Sequence, residues 1–209
     1  MLYRLTGQSI RKGLAEVTRE KIIEAAAKCF SERGYTKTTM DKIAEEAGVS
    51  KGTLYWYFKS KEELFVELKE RQISKVLKQL ENLFAQKKAF NIKLMRAIST
   101  YFSYLVPEKR EVARLNVEFL SEAPKIPRLN RMLKRQYQRV LDLIRSTIEK
   151  AMERGELRKD IDPGTLSMIL LAMLDGLELH WAVLGVDFDW EKVKETLLDV
   201  LMKGLEPRE

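Results

Sequence analysis

The feature that most constrains this chain is the spacing of its apolar residues, which recur every three or four positions along most of its length. Ile22, Ala26, Cys29 and Phe30 form one such stripe. This spacing is the period of an α-helix, and no segment shows the alternation that is typical of a strand. Only 10 glycines and 5 prolines occur in 209 residues, which favours long helices with short connections. The sequence therefore predicts an all-α protein with nine helices and no sheet.

Start and stop signals place the helices. Glycine ends the first two, serine caps the third and fourth, and the pair Asp162-Pro163 marks a start near the carboxyl end. Ser60 and Glu63 have the spacing of a capping box. Thr18 is predicted to cap the first helix. The predicted helices cover residues 18–34, 40–48, 51–58, 61–84, 91–105, 107–120, 127–155, 163–185 and 189–205.

These helices group into two domains with a preceding segment. Residues 1–17 carry Arg4, Arg11 and Lys12 with little apolar periodicity, and are predicted to be a basic amino-terminal arm or a frayed helix. Residues 18–64 contain three short helices and a fourth that begins near the end of the range. Residues 65–209 are predicted to form a larger helical body.

Charge is unevenly divided between these parts. The whole chain has 38 basic and 31 acidic residues, a net charge of +7. Residues 1–61 hold 12 lysines and arginines against 7 acidic residues, so most of the excess lies in the first third. A basic excess is compatible with a polyanionic partner, and the amino-terminal third is the better candidate for contacting phosphates.

The segment 38–58 has the pattern of a helix-turn-helix, with its motif at about residues 40–59. Gly48 separates two short helices, because a tight turn needs a residue that tolerates positive φ. Ala44 and Ala47 are small where the two helices must approach closely. The apolar residues behind them are Ile43, Val49, Leu54 and Phe58.

The polar residues of this segment are candidates for DNA contact. The start of the third helix offers free backbone N–H groups, Gly52 permits close approach, and Lys51 can reach a guanine edge. Helix-turn-helix patterns also occur in proteins that bind no nucleic acid, and aromatic runs are often core. Residues 55–58 are four consecutive aromatics, however, and cannot all face inward on one helix. The candidate DNA-binding residues are Thr38, Thr39, Ser50, Lys51, Gly52, Thr53, Tyr55, Tyr57 and Lys61.

From about Thr18 to Leu64 the chain resembles the DNA-binding domain of TetR-type regulators. The resemblance rests on AA-x-x-F-x-x-x-G-Y-x-x-T-T around Phe30, followed by I-A-x-x-A-G-V-S-x-G-T-L-Y-x-x-F-x-S-K-E-x-L. It implies that residues 51–58 form the recognition helix. Position 57, often histidine in the family, is tyrosine here, which can still donate to a phosphate. The resemblance implies DNA contacts for Thr39, Thr53, Tyr55, Tyr57 and Lys61.

The body contains a segment, 166–184, that is apolar nearly all the way round its helix. Such a helix is buried on two sides, and the second cover can come from another copy of the chain. The resemblance points the same way, since TetR-type proteins pair through their last two helices. A twofold homodimer predicts a palindromic operator in double-stranded DNA. The alternatives are a fully buried helix in a monomer and a membrane span, against which Asp175, Glu178 and His180 interrupt the run.

Large or adaptable side chains in the body are candidates for an effector pocket. Each could instead be ordinary core. His180, the only histidine, could donate to a ligand or lie as a satisfied polar residue near the dimer face. The carboxyl-terminal part of the family diverges widely, so the resemblance implies no particular ligand; an apolar or amphipathic small molecule is expected. The candidate residues are Phe102, Phe119, Met132, Tyr137, Met168, Met173 and Trp181.

Other functional classes fit less well. An enzyme is disfavoured because there is one histidine, no Ser/His/Asp set and no G-x-S-x-G. Cys29 alone forms no internal disulfide or CxxC pair, and neither a metal nor a cofactor is expected. The start MLYRLTGQSIRKG lacks the apolar core of a signal peptide, so the cytoplasm is the expected location.

Two questions about the regulator itself remain open in the sequence. A DNA-organising protein without an effector is one alternative, and the choice between activator and repressor is another. Repression is the commoner mode in the family that the chain resembles. If a ligand binds the body, we expect it to act on DNA binding through the fourth helix.

Overall fold

The computed structural model describes residues 7–103, 105 and 109–207, with side chains from Gly13 onward. In these ranges the chain is helical and contains no strand, which confirms the predicted fold class. The nine helices are α1 Gly7–Lys37, α2 Met40–Ala47, α3 Lys51–Tyr57, α4 Lys61–Phe84, α5 Phe90–Phe102, α6 Arg110–Glu122, α7 Pro127–Glu153, α8 Pro163–Leu184 and α9 Trp190–Leu205.

Side-chain caps set the start of five of these helices. In each case a short polar side chain accepts a hydrogen bond from the backbone N–H three residues later, which satisfies a donor that the helix itself cannot pair. Gly185 ends α8 in the left-handed region at φ 68°, as its sequence position predicts. The five caps are Thr39 for α2, Ser50 for α3, Ser60 for α4, Asp162 for α8 and Asp189 for α9.

The start of α1 differs from the prediction. The helix already runs from Gly7, so Thr18 lies in its interior and does not cap it. The Thr18 hydroxyl donates to the carbonyl of Leu14 at 2.9 Å. Threonine side chains inside a helix commonly form this bond to the carbonyl four residues earlier. Arg4 of the predicted arm lies outside the described residues. Gly34 (φ 76°) interrupts the helix where glycine was expected to end it, and a last turn continues to Lys37.

The predicted capping box at the start of α4 is only half formed. The Ser60 hydroxyl accepts from the Glu63 N–H at 3.1 Å, as expected. The Glu63 carboxylate, however, accepts from the N–H of Lys59 at 2.8 Å instead of that of Ser60. Both amides precede the helix, so the carboxylate still pairs a donor in front of its first turn.

The connection between α5 and α6 is longer than the sequence indicated. α5 ends at Phe102 and not at residue 105, and α6 begins at Arg110. Pro107, the predicted start of α6, lies outside the described residues.

The chain forms two compact units, one up to Arg71 and one from Gln72 onward, so the boundary falls inside α4. The amino-terminal unit has a closed apolar core. Its rings make edge contacts, with the centroids of Phe30 and Phe65 5.1 Å apart. The fully buried side chains of this core are Ile22, Phe30, Ile43, Leu54, Phe58, Leu64 and Phe65.

The second unit, which we call the body, is a helical bundle. α8 packs against α6 and α7, and α5 packs against α7 and α9. Ile148 and Leu166 lie in its main core. A second cluster surrounds Trp181, whose ring centroid lies 5.7 Å from that of Trp190.

Candidate nucleic-acid interface

The turn between α2 and α3 depends on Gly48. Its φ of 65° lies in the left-handed region, and its N–H donates to the carbonyls of Ala44 and Glu45. A Cβ added here would meet no atom within 4 Å, so the requirement for glycine comes from the backbone and not from crowding. The turn thus fixes the angle at which α3 leaves α2.

The inner face of α3 is anchored in the core. Leu54 is fully buried and Phe58 is 1% exposed. Ile43 of α2 is also buried, so these three residues form part of the core that the sequence predicts. Val49, predicted to join this core, is only half-buried. The Arg19 guanidinium lies over the Phe58 ring at 5.1 Å and covers the end of the helix.

The outer face of α3 carries basic, aromatic and hydroxyl groups. Lys51, Tyr55 and Trp56 are exposed, and Thr53 and Tyr57 are partly exposed. Trp56 has 68% of its surface accessible, more than Tyr55 at 45%, and packs edge-on against Tyr57 with centroids 4.6 Å apart. The sequence analysis did not select Trp56, although the four-aromatic run already implied that one ring must be exposed.

The first turn of α3 combines a cap with open space. The Ser50 Oγ accepts from the Thr53 N–H at 3.0 Å and lies 2.8 Å from the Thr53 hydroxyl, so it serves the helix itself. A Cβ added to Gly52 would meet only that Oγ, at 3.8 Å. The free protein therefore has room for a side chain at position 52, and any need for glycine there must come from a bound partner.

Lys51 has an ion-pair partner in the free protein. Its Nζ donates to an Asp41 carboxylate oxygen at 2.7 Å, and this hydrogen bond raises the pKa of Lys51 above its usual value. Both side chains are more than half exposed, so the pair adds little stability. It is a surface contact that a stronger anionic partner can replace.

Thr38 and Thr39, predicted together as DNA-contacting residues, differ in position. Thr39 is exposed and caps α2. Thr38 is 1% exposed, and its hydroxyl shares its bond between the carbonyls of Gly34 at 2.8 Å and Cys29 at 3.0 Å. The structure corrects the expectation for Thr38, because its one hydroxyl donor is spent on pairing carbonyls inside the domain.

Lys61 also has an internal role. Its Nζ donates to the carbonyls of Tyr35 (2.7 Å) and Thr38 (2.9 Å), with that of Thr36 at 3.4 Å. The same ammonium lies 4.3 Å from the centre of the Tyr35 ring. These contacts tie the first turn of α4 to the segment between α1 and α2. The predicted contact with flanking phosphates is thus replaced, in the free protein, by a bond to the chain itself.

The residues predicted to line an effector pocket differ in burial. Phe102, Phe119, Met132 and Trp181 are buried in the core, and Met173 is half-buried. Tyr137 and Met168 are 42% and 54% exposed, which corrects the expectation that they face an enclosed space. Spacing on a helix selects a face, but which neighbour covers that face depends on packing from distant parts of the chain.

A partly buried polar cluster lies among these aromatic residues and was missed in the sequence. The Tyr101 hydroxyl lies 2.9 Å from the Leu174 carbonyl and 3.0 Å from a Glu178 oxygen, and Asn116 donates to the other Glu178 oxygen at 2.9 Å. Burial, and then the Glu178 charge, raise the pKa of Tyr101 far above its usual value. The cluster satisfies a carboxylate inside the body. No sequence spacing links residues so far apart.

The apolar surface of α8 is divided between core and solvent. Leu166, Leu170 and Trp181 are buried, but further apolar side chains of α8 are open in the single chain. α8 is also long and apolar enough to cross a membrane. Of its most apolar stretch of 18 residues, 28% is buried in the single chain. The exposed apolar residues of α8 are Met168, Ile169, Leu179, Val183 and Leu184.

The features above define a class: an all-helical protein in which a helix-turn-helix domain precedes a larger helical body. Comparison with known proteins identifies the family. Residues 22–68 match the family of bacterial regulatory proteins of the tetR type, and residues 92–206 match the carboxyl-terminal domain of BetI-type transcriptional repressors. The chain belongs to the TetR family and is a transcriptional regulator, not an enzyme.

Relatives in this family match over nearly their full length. The regulator TtgR of Pseudomonas putida is 30% identical, covering 90% of this chain and 92% of its own. The fatty acid metabolism regulator protein of Bacillus subtilis is 26% identical over 88% and 94%. A solved structure of FadR from Bacillus subtilis, in complex with stearoyl-CoA, has a TM-score of 0.77 at 23% identity, covering 88% of this chain and 98% of that one.

Proposed function

We propose that this regulator is a repressor that binds a palindromic operator as a homodimer and leaves it when a small molecule binds the body. The observation that carries the proposal is the composition of α3, which buries Leu54 and Phe58 and presents a lysine, a glycine, hydroxyls and aromatic rings outward. Basic and hydroxyl groups suit phosphates and base edges, and aromatic rings suit the sugar and methyl surfaces of a groove. The cytoplasm is the location that this function requires.

The proposed DNA contacts are those predicted residues that are accessible in the free protein. Lys51 would exchange Asp41 for a guanine edge, and Gly52 would let the backbone approach the duplex. Thr38 is left out because it is buried, and Lys61 because its donors hold backbone carbonyls. The retained residues are Thr39, Ser50, Lys51, Gly52, Thr53, Tyr55 and Tyr57, to which the exposure of Trp56 adds one more.

The exposed apolar face of α8 supports the homodimer. Val183 and Leu184 are 52% and 66% exposed, and Val200 on α9 is 62% exposed, although all three are large aliphatic residues. Large aliphatic side chains left open on a helix face in this way usually mark an interface. Two copies related by a twofold axis would cover each other's α8 and α9 and present two copies of α3 to the two halves of a palindrome.

The effector is proposed to be small and apolar or amphipathic, because the body combines buried aromatic rings with the Tyr101–Glu178–Asn116 cluster. The names of two relatives support this in general terms, one being a regulator of fatty acid metabolism and one a protein bound to stearoyl-CoA. α4 begins in the amino-terminal unit and ends in the body, so it is the proposed route of coupling. Coupling is reciprocal, so DNA should weaken effector binding by the same factor.

Selection of bound duplexes from a random pool tests the proposal. The expected result is a palindromic consensus whose half-sites are about one helical turn, or a multiple of it, apart. A non-palindromic consensus would contradict the homodimer, and recovery of unrelated sequences would favour a DNA-organising protein. Titration of a selected duplex with candidate small molecules then tests whether an effector releases it.

Lys51→Ala tests the site itself. It should relax base preference at one position in each half-site, because the side chain proposed to contact a guanine edge is lost. Lys125→Ala is a matched control, because Lys125 has the same exposure and also forms a 2.7 Å pair, with Glu122. Equal effects of the two substitutions would show that α3 does not read the bases.

A further inference from the structure

The body contains a second feature that the proposed function does not use: a cleft with a volume of about 190 Å³ near the end of α7. None of the residues predicted for the effector pocket lines it. Its polar lining includes Lys93, Lys150 and Arg154, opposed by Glu81. The cleft is therefore a concentration of positive charge in a part of the chain whose overall charge is nearly balanced.

Lys93 is the unusual member of this group. It is 6% exposed, and one of its donors pairs with the Phe84 carbonyl at 2.8 Å. An ammonium carries three donors, so two remain for a partner in the cleft. Burial, followed by the charge of Arg154, lowers the pKa of Lys93 below its usual value. A buried lysine beside other cations is costly unless an anion joins them.

The two outer cations are available to such an anion. In the described part of the chain the side chain of Lys150 forms neither an ion pair nor a hydrogen bond. Arg154 uses its Nε on Glu156, which leaves its terminal guanidinium nitrogens open. Cations in the last turn of α7 also favour the helix dipole. The dipole does not account for Lys93, which belongs to α5 and is buried facing the same cleft.

We propose that this cleft is a binding site for a phosphate group. Glu156 pairs with Arg154, and Glu81 pairs with Arg139 at 3.6 Å, so Lys93 and Lys150 are the cations of the cleft without a carboxylate partner among the described residues. These two lysines leave a charge near +2, which matches a phosphate dianion better than a carboxylate. Arg154 can pair two phosphate oxygens, and the lysines can pair the others. The cleft volume of about 190 Å³ is more than one phosphate fills.

The remaining space has an apolar lining. Phe84, Ala85 and Leu143 lie in the same cleft as the cations. A phosphate monoester that carries a small apolar group would place its phosphate on the cations and the group on these side chains. Free phosphate would use the cations alone. Free phosphate and a phosphate monoester would therefore bind the same cations, but only the monoester would gain affinity from the apolar lining.

Calorimetric titration of the full chain at constant ionic strength tests the site. Inorganic phosphate, phenyl phosphate and acetate are the probes. We expect saturable binding of both phosphates and much weaker binding of acetate. Tighter binding of phenyl phosphate would assign the site to a monoester, and equal binding would assign it to the free anion. No saturable binding of either phosphate would overturn the proposal.

Variants locate the bound anion. Lys150→Gln removes a surface cation without touching the fold and should weaken phosphate binding about tenfold, the usual effect of losing one charge-assisted hydrogen bond. Lys134→Gln, an exposed lysine on the same helix, is the control and should leave binding unchanged. If Lys51→Ala abolishes binding and Lys150→Gln does not, the anion lies on the DNA-binding surface and the proposed site is wrong.

Discussion

The two units of this protein treat their apolar residues differently. In the amino-terminal unit most large apolar side chains from Ile22 to Phe65 are buried, and the large exposed ones in α3 are aromatic and lie beside a lysine. Exposed aliphatic residues of this unit, Leu14 and Val17, lie in the first half of α1. In the body, α8 buries one apolar face and leaves another open. A closed core allows a unit to fold around itself, whereas an open apolar face requires a further cover. The difference supports the proposal that the body is completed by a second copy of the chain.

The strongest test of this contrast is a charge on the open face of α8. Val183→Lys should raise the dissociation constant of the homodimer by about a thousandfold, because the symmetric interface would bury two unpaired ammonium groups. Sedimentation equilibrium measures the change. Val112→Lys on α6 is the control, since Val112 is similarly exposed and should tolerate the charge. A wild-type chain that is already monomeric would contradict the proposal that a second copy covers the open face of α8.

A second test asks whether the amino-terminal unit depends on internal polar contacts. Lys61→Met keeps the aliphatic stem but removes the donors to the Tyr35 and Thr38 carbonyls. The free energy of unfolding should fall by about 2 kcal/mol, the usual loss for hydrogen bonds to a charged group. Urea denaturation measures it. Lys37→Met, at an exposed position, should change stability by less than about 0.5 kcal/mol. Equal stabilities of the two variants would contradict the internal role of Lys61.

The two glycines of the helix-turn-helix separate folding from binding. Gly48→Ala should destabilise the protein by about 1 kcal/mol because alanine is strained at φ 65°. Gly52→Ala should preserve stability or raise it slightly, since alanine favours a helix and meets only the Ser50 Oγ. Only Gly52→Ala should weaken DNA binding in a folded protein. Thermal unfolding and duplex binding together check the pair, and a destabilised Gly52→Ala protein would contradict the open space at this position.

The smallest expected effect concerns Glu67, which Arg19 and Arg71 contact at 3.0 Å and 2.8 Å. Burial favours its neutral form, but the hydrogen bonds from both arginines outweigh burial and lower the pKa of Glu67. The stability that this carboxylate contributes is therefore complete above its ordinary pKa and is lost as pH falls through the lowered folded value. The difference in urea midpoint between wild type and Glu67→Gln should shrink on acidification. A difference independent of pH would contradict the role of the ion pairs.

Local signals in the sequence were sufficient for much of the fold. The caps Ser50, Ser60 and Asp162 and the turn at Gly48 were predicted, because each acts on backbone atoms within a few residues. The failures were non-local. Thr18 lies inside a helix that begins earlier, and Thr38 pairs with a carbonyl nine residues away.

The candidate sites show the same division. The outward positions on α3 follow from helical periodicity together with the burial of Leu54 and Phe58. The Lys61 contacts join segments more than twenty residues apart, and the cationic cleft joins α5 to α7. Such juxtapositions depend on how helices pack, which spacing along one helix does not specify. The exposed state of Tyr137 and Met168 was missed for this reason.

The bonds of Lys61 have a mechanical consequence for the amino-terminal unit. Its ammonium fastens the first turn of α4 to the connection that leads into α2, and two further ion pairs, Arg19–Glu67 and Arg71–Glu20, fasten the following turns to α1. A displacement of this part of α4 would therefore move the whole helix-turn-helix as a rigid body, because α4 cannot slide past α1 without breaking these bonds. A rigid connection of this kind allows α4 to reorient the recognition helix without unfolding any part of the helix-turn-helix.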